Sequence, residues 1–197
     1  MEDEWASILN PDVIRTRFLR AGLFLDAHEM LVAVIKDRLH DFFSDTWTPG
    51  SGWNTSAAYR ENVLLLDPKG KNDPFRSSVA WLIGMKAIDG DDERAIREFT
   101  EKRNTIAHEL RGLVGGSHQL DFDDVFQKIL EMVAKIEKWW IVNIEIATDP
   151  EFYDKEIKAD SVVPGSLLLL QILKDVALGE DDETWAIYRE FLANAKA

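Results

Sequence analysis

Arg103, Asn104 and His108 stand close together in the stretch EKRNTIAHEL, residues 101–110. Together they carry the groups that phosphodiester chemistry needs. An imidazole titrates near neutral pH and can move a proton to or from a ribose hydroxyl or a leaving oxygen. A guanidinium grips phosphate oxygens as a fork and stabilises charge that develops in the transition state. The neighbouring amide can hold the phosphate or orient the imidazole. RNA brings its own nucleophile, the 2′-hydroxyl, so such a set works without a metal. The same residues also have a structural reading. Arg and His near a helix C-terminus complement the helix dipole, and His108 can be a partly buried histidine bonded to a carbonyl.

The helix that must position them starts at DGDDE, 89–93, and carries Ile96, Phe99, Ile106 and Leu110 up to a break at Gly112, Gly115 and Gly116. At 3.6 residues per turn Asn104 and His108 share a face, and Arg103 stands roughly 140° round from His108. Arg and His therefore flank a face, and a second copy across a two-fold axis could bring two such sets into one cleft. Before this helix, Asn10-Pro11 reads as an N-cap followed by proline at the first helical position. Apolar residues from Val13 to Phe43 predict one long helix reaching about Trp47 and bending near Gly22. The run TPGSG, 48–52, stops it. A short helix over 56–66, the polar loop DPKGKNDP at 67–74 and a helix over 75–88 follow. Beyond the glycines come a long helix over 121–147, closed by Thr148-Asp149-Pro150, an apolar helix over 164–178 and a last helix over 182–194. No strand pair is expected. The fold class is all-α, with a helical bundle over 1–150 and a C-terminal helical extension, 151–197, packed on the same domain. Trp139 and Trp140 cannot face the same way on one helix, so one of them is a candidate for an interface, with core packing the default for most of the seven Trp.

Arg103-Asn104-Thr105-Ile106-Ala107-His108 resembles the signature of the HEPN superfamily (higher eukaryote and prokaryote nucleotide-binding domains): an Arg, a polar residue, a few more residues and then a His, late in an α-helix. The stretch FLRAGLFLDAHEMLVAVIKDRLHDFF, 18–43, is similar in style to that family's first long helix, and the compatible helical frame spans about 10–147. The resemblance implies a HEPN-like bundle acting as a homodimer, with two motifs facing each other across a composite cleft. It implies metal-independent endoribonuclease activity on an RNA substrate, in a toxin–antitoxin or anti-phage defence setting with an antitoxin or defence protein as partner. His108 would be the general acid/base, Arg103 the phosphate and transition-state stabiliser, and Asn104 the orienting group. Other members of the family are non-catalytic modules for nucleotide binding or assembly. A subset of its toxins carries a Tyr two residues after the His, where this chain has Leu110, so regulation through that tyrosine is not implied. A helical regulatory protein outside the family, with RNTIAH a coincidence, is the remaining reading.

The formal net charge of −13 argues against a general nucleic-acid coat. Three acidic clusters, 89–93, 121–124 and 180–183, each precede a helical pattern, where carboxylates accept free N–H groups. From Arg94 to Arg111 the local sum is +2, with Lys102 and Arg111 as candidate substrate contacts beside the motif. His118, in the loop after the motif helix, either lines the same cleft or is an exposed loop histidine. No cofactor is expected. His28 and His40 form no HxxxH pair, so no zinc site is expected, and GGSH at 115–118 lacks the strand and the Lys-Ser/Thr of a phosphate loop. The chain has no cysteine, no basic-then-apolar leader and no apolar run near the roughly 20 residues of a membrane helix. A soluble, cytoplasmic protein is expected.

Overall fold

The computed structural model describes residues 10–114, 121–152 and 161–179, together with 185, 186, 188, 189, 192 and 193. Among the described residues the architecture is all-α apart from one small hairpin. Asn10 starts the first helix: its side chain accepts the Asp12 N–H at 2.9 Å, and Pro11 sits where no N–H is required. Helix α1, Pro11–Val32, passes through a π-helical turn, Ala33–Asp37, and continues as α2, Arg38–Phe42. The bend expected at Gly22 is absent. Gly22 faces solvent, with nothing near the position of a Cβ to pull the chain aside. The irregularity comes at Ala33–Asp37 instead.

The helix also ends at Phe42, short of Trp47, because the next residues form a strand pair where none was expected. Strands β1, Ser44–Thr48, and β2, Gly52–Thr55, pair antiparallel with Trp47 opposite Trp53. Thr and Trp fit a pleated surface. Gly50 and Gly52 turn the chain back at φ 89 and 75, a region that favours glycine. The Asn54 amide donates to the Thr46 carbonyl at 3.3 Å, to Thr48 Oγ1 at 3.0 Å and to the Gly52 carbonyl at 3.1 Å. Both Trp47 and Trp53 are exposed.

Helix α3, Ala57–Asn62, and a 3₁₀ turn, Leu64–Leu66, lead into the polar loop. That loop winds around one carboxylate. Asp67 accepts the N–H groups of Lys69, Lys71 and Asp73 at 3.1, 2.9 and 3.1 Å, and Nε and Nη2 of Arg76 at 2.9 Å each. Asp73 then caps α4, Pro74–Gly84, by accepting the Arg76 N–H at 2.9 Å. Helix α4 stops before the expected Ile88, and Ala87 and Ile88 are buried in the link that follows. Helix α5, Gly90–Val114, starts on a reciprocal cap. Asp89 accepts the N–H groups of Asp91 and Asp92 at 2.9 and 3.0 Å, while Asp92 accepts that of Asp89 at 2.8 Å. Helix α6, Phe122–Trp140, runs through a second π-helical turn, Ile141–Glu145, into α7, Ile146–Thr148, and ends at Pro150 as expected. Helix α8 is Gly165–Leu178. The expected helix over 182–194 lies largely outside the described residues.

Helix α1 packs on α5, α6 and α8 and holds the core together. Arg20 reaches Asp123 at 3.6 Å with its guanidinium over Phe122, and Arg38 reaches Glu137 at 3.7 Å, so α1–α2 and α6 run parallel. Helix α5 runs the other way, pairing Glu29 with Arg103 near its end and Lys135 with Asp92 near its start. Trp140 is buried and stacks on Trp81 at 5.8 Å, while half-buried Trp139 meets Trp81 edge-on at 6.0 Å. Both indoles that were expected to diverge thus meet one partner. Among the described residues no helix is long and apolar enough to cross a membrane.

The Asp67 loop makes an acid-sensitive clamp. The Arg76 guanidinium and three backbone N–H groups hold the Asp67 carboxyl well below the usual carboxylate range. A carboxylate with a lowered value stabilises the fold above its unfolded value and loses that contribution as pH falls. Asp67→Asn should therefore lower the melting temperature by several degrees at pH 7, and its gap from wild type should narrow below about pH 4. Thermal unfolding followed by circular dichroism checks this.

Candidate functional site

The inward stripe of α5 is Ile96, Phe99, Arg103, Ile106 and Leu110, of which Ile96, Phe99 and Ile106 are buried and Leu110 is partly buried. Arg103 therefore occupies a stripe position that apolar residues otherwise fill. That position carries the side chain towards α1, where Arg103 Nη2 donates to Glu29 Oε1 at 3.1 Å. The pair is partly open to water, with the Arg103 side chain 37% exposed.

Asn104 and His108 leave α5 on the flank beside this stripe, one turn apart, and both are exposed. Neither side chain has a partner among the described residues. The residue after His108 breaks the helix: Glu109 has φ −117 and ψ 23, and the chain resumes helical geometry beyond it. Asn104 and His108 thus sit on the last regular turn before a kink. Within one chain the structure brings Asn104 and His108 together and sets Arg103 against Glu29, away from His108.

His28, the residue before Glu29, is 4% exposed. The Thr100 hydroxyl donates to the Ile96 carbonyl at 2.9 Å, so at 3.3 Å it accepts from the Nε2–H of His28. Nδ1 is then the bare nitrogen, and it is buried with no partner among the described residues. Burial pushes the imidazole below its ordinary value; Glu29 opposes this and Arg103 adds to it. His28, Glu29, Thr100 and Arg103 form one polar patch between α1 and α5. His28 and Glu29 were missed as neighbours of the motif because their contacts span 72 and 74 positions of sequence. The signal that points to them is an Arg in the apolar stripe of α5, which needs an acidic partner on the facing helix.

The cations near the motif are partly neutralised. Arg94 pairs with Asp91, and Arg97 with Glu93 at 2.9 Å. Lys102 and Arg111 are exposed and have no partner among the described residues. His118 lies outside the described residues, so its position relative to the motif is not assigned. Two cavities, of about 340 and 380 Å³, open around the first turns of α5 and the facing part of α6, lined by Asp89, Asp92, Glu98 and Lys135 among others. Neither is lined by the motif, which begins at Arg103, roughly 6 Å beyond the lining residue Phe99 at 1.5 Å per residue. Among the described residues, no three His, Cys, Asp or Glu side chains converge as a metal site. No family model, no curated protein and no solved structure matches this chain.

The polar patch has a pH signature. A histidine lowered by burial stabilises the fold above its unfolded value near 6.5 and loses that contribution as pH falls. The melting temperature of the wild type should drop between about pH 6.5 and 5, and His28→Gln should flatten that slope. The exposed Glu29–Arg103 pair is worth less: Glu29→Gln should cost under about 1 kcal/mol in a denaturant titration.

Proposed function

We propose that this chain is a metal-independent endoribonuclease that acts as a homodimer, with a toxin or anti-phage defence component as its setting. The observation that carries the reading is the exposed pair Asn104 and His108, without partners among the described residues, on the last regular turn of α5, with Arg103 anchored one step before it. An imidazole in that position is open to a substrate from solvent, as a general acid or base must be. Lys102 and Arg111, unpaired among the described residues, add positive charge along the same stretch. The resemblance of RNTIAH to the HEPN signature supplies the reaction class, and its setting and dimeric cleft come from that resemblance alone.

In this reading His108 transfers the proton at the 2′-hydroxyl or at the leaving 5′-oxygen, and Asn104 holds the phosphate or the imidazole. Arg103 faces the phosphate once Glu29 yields to it. A phosphate oxygen competes well for a guanidinium whose present partner is half in water. In this reading the second copy supplies the opposite wall of the cleft, as the resemblance implies.

A non-catalytic helical module for dimerisation or partner binding is the second reading. What favours it is the Arg103–Glu29 ion pair, which occupies the guanidinium as a structural clasp between α5 and α1.

Incubating the purified chain with a mixed RNA pool in excess EDTA separates the two. Wild type should cleave, and His108→Ala should lose at least about 100-fold in rate with an unchanged circular dichroism spectrum. Equal cleavage by both proteins removes His108 from the chemistry. No cleavage by wild type, with or without added divalent metal, favours the second reading.

A further inference from the structure

Helix α8 buries one side and leaves another apolar side open. Leu170 is buried, Leu167, Ala177 and Leu178 pack partly on the core, and the Ser166 hydroxyl donates to the buried Glu137 carboxylate. These contacts hold the helix in one rotational setting. Leu169, Ile172, Leu173 and Val176 then point outward, 54, 40, 41 and 46% exposed, at the i, i+3, i+4, i+7 spacing of a helix-packing seam. The charges of α8 lie off this stripe, and Lys174 is turned over the ring of Phe126 at 5.9 Å. Among the described residues, none of the chain's tail covers the stripe. Trp185, Tyr188 and Leu192 are themselves 59, 51 and 36% exposed, on helical backbone at i, i+3 and i+7.

We propose that these two stripes form one self-association surface, in which α8 of one copy receives Trp185, Tyr188 and Leu192 of a second copy about a two-fold axis. A second copy is the occupant for three physical reasons. The aliphatic stripe and the aromatic stripe belong to the same chain, so a two-fold pairing buries both at once. A chain of net charge −13 repels its own copies over most of its surface, and the residues of these stripes carry none of that charge. Covering the half-exposed side chains removes roughly 500 Å² of apolar surface per copy, about 1,000 Å² for the pair, which reaches the lower bound for a specific interface. The proposal does not rest on the ribonuclease reading: the homodimer of that reading joins the motif ends, and the α8 glutamates and the paired cysteines below, rather than mass alone, tell the two interfaces apart.

The test is sedimentation velocity on the full chain at up to about 100 µM, the range in which a small interface is populated. Wild type should sediment at twice 22.5 kDa. The double variant Leu169→Glu, Leu173→Glu should sediment as one chain with unchanged circular dichroism. The chain has no cysteine, so single cysteines give a clean second measurement that does not depend on the charged variant folding. Copies carrying Leu173→Cys, mixed with copies carrying Tyr188→Cys and oxidised, should form the mixed disulfide dimer at least tenfold over either variant alone. A monomeric wild type overturns the proposal, as does a dimer indifferent to the two glutamates. Leu173→Cys bridging to its own copy overturns the stripe-on-stripe arrangement. A Leu173→Cys, Tyr188→Cys chain that bridges only within itself overturns it as well, and assigns the stripe to the chain's own tail.

Discussion

Ala21, Phe24, Ala27, Leu31 and Ile35 are buried almost completely, and three other helices meet at the helix side they form. Helices α5, α6 and α8 each pack on α1 more extensively than on one another. The small side chains Ala21 and Ala27 let neighbours come close, while Phe24, Leu31 and Ile35 supply roughly 1.5–3 kcal/mol of burial each. A domain of this kind is stable by only about 5–15 kcal/mol in total, so the order of the whole bundle depends on this one seam. The motif helix inherits its position from it: Thr100 and Arg103 are placed by the register of α5 against His28 and Glu29.

Electrostatics then decide what α5 can offer. The sum of +2 over Arg94–Arg111 counts only charges near in sequence. In space, Asp91, Glu93 and Glu29 take up three of those cations. The positive charge without a partner among the described residues is concentrated on Lys102 and Arg111, which bracket Asn104 and His108. Glu101 and Glu109 stand beside these two cations, so the end of α5 that carries the motif is close to neutral, within a chain that is acidic elsewhere.

The long helices were legible because their apolar residues recur at helical spacing and their first turns carry Asn10, Asp73, Asp89 and Asp92 as caps. The hairpin was not. Its first strand follows directly on Phe42 and Phe43, so the helical spacing of the preceding residues runs into it without a visible stop. The loop at 67–74 was legible as a turn, but its organisation around one carboxylate depends on where five donors converge, which no spacing rule encodes. At the site, the sharing of a face by Asn104 and His108 followed from helix geometry alone. The inward turn of Arg103 was present in the pattern of the stripe but needed the facing helix to give it meaning. The buried His28 gave no sequence signal of its own, because its environment is made by residues more than 70 positions away.

The π-helical turn at Ala33–Asp37 holds one residue more than an α-helical turn would. Every side chain after it is therefore rotated by roughly 100° from where a regular helix would place it. Arg38, the first residue beyond, uses that rotation to meet Glu137 on α6 and Glu145 in the second π-helical turn. The two irregularities act as matched phase shifts on parallel helices. A gene that lost the codon for Ala33, Val34 or Ile35 would keep its helix and its net charge. It would nonetheless aim Arg38 away from α6, so this segment tolerates substitution far better than a change of length.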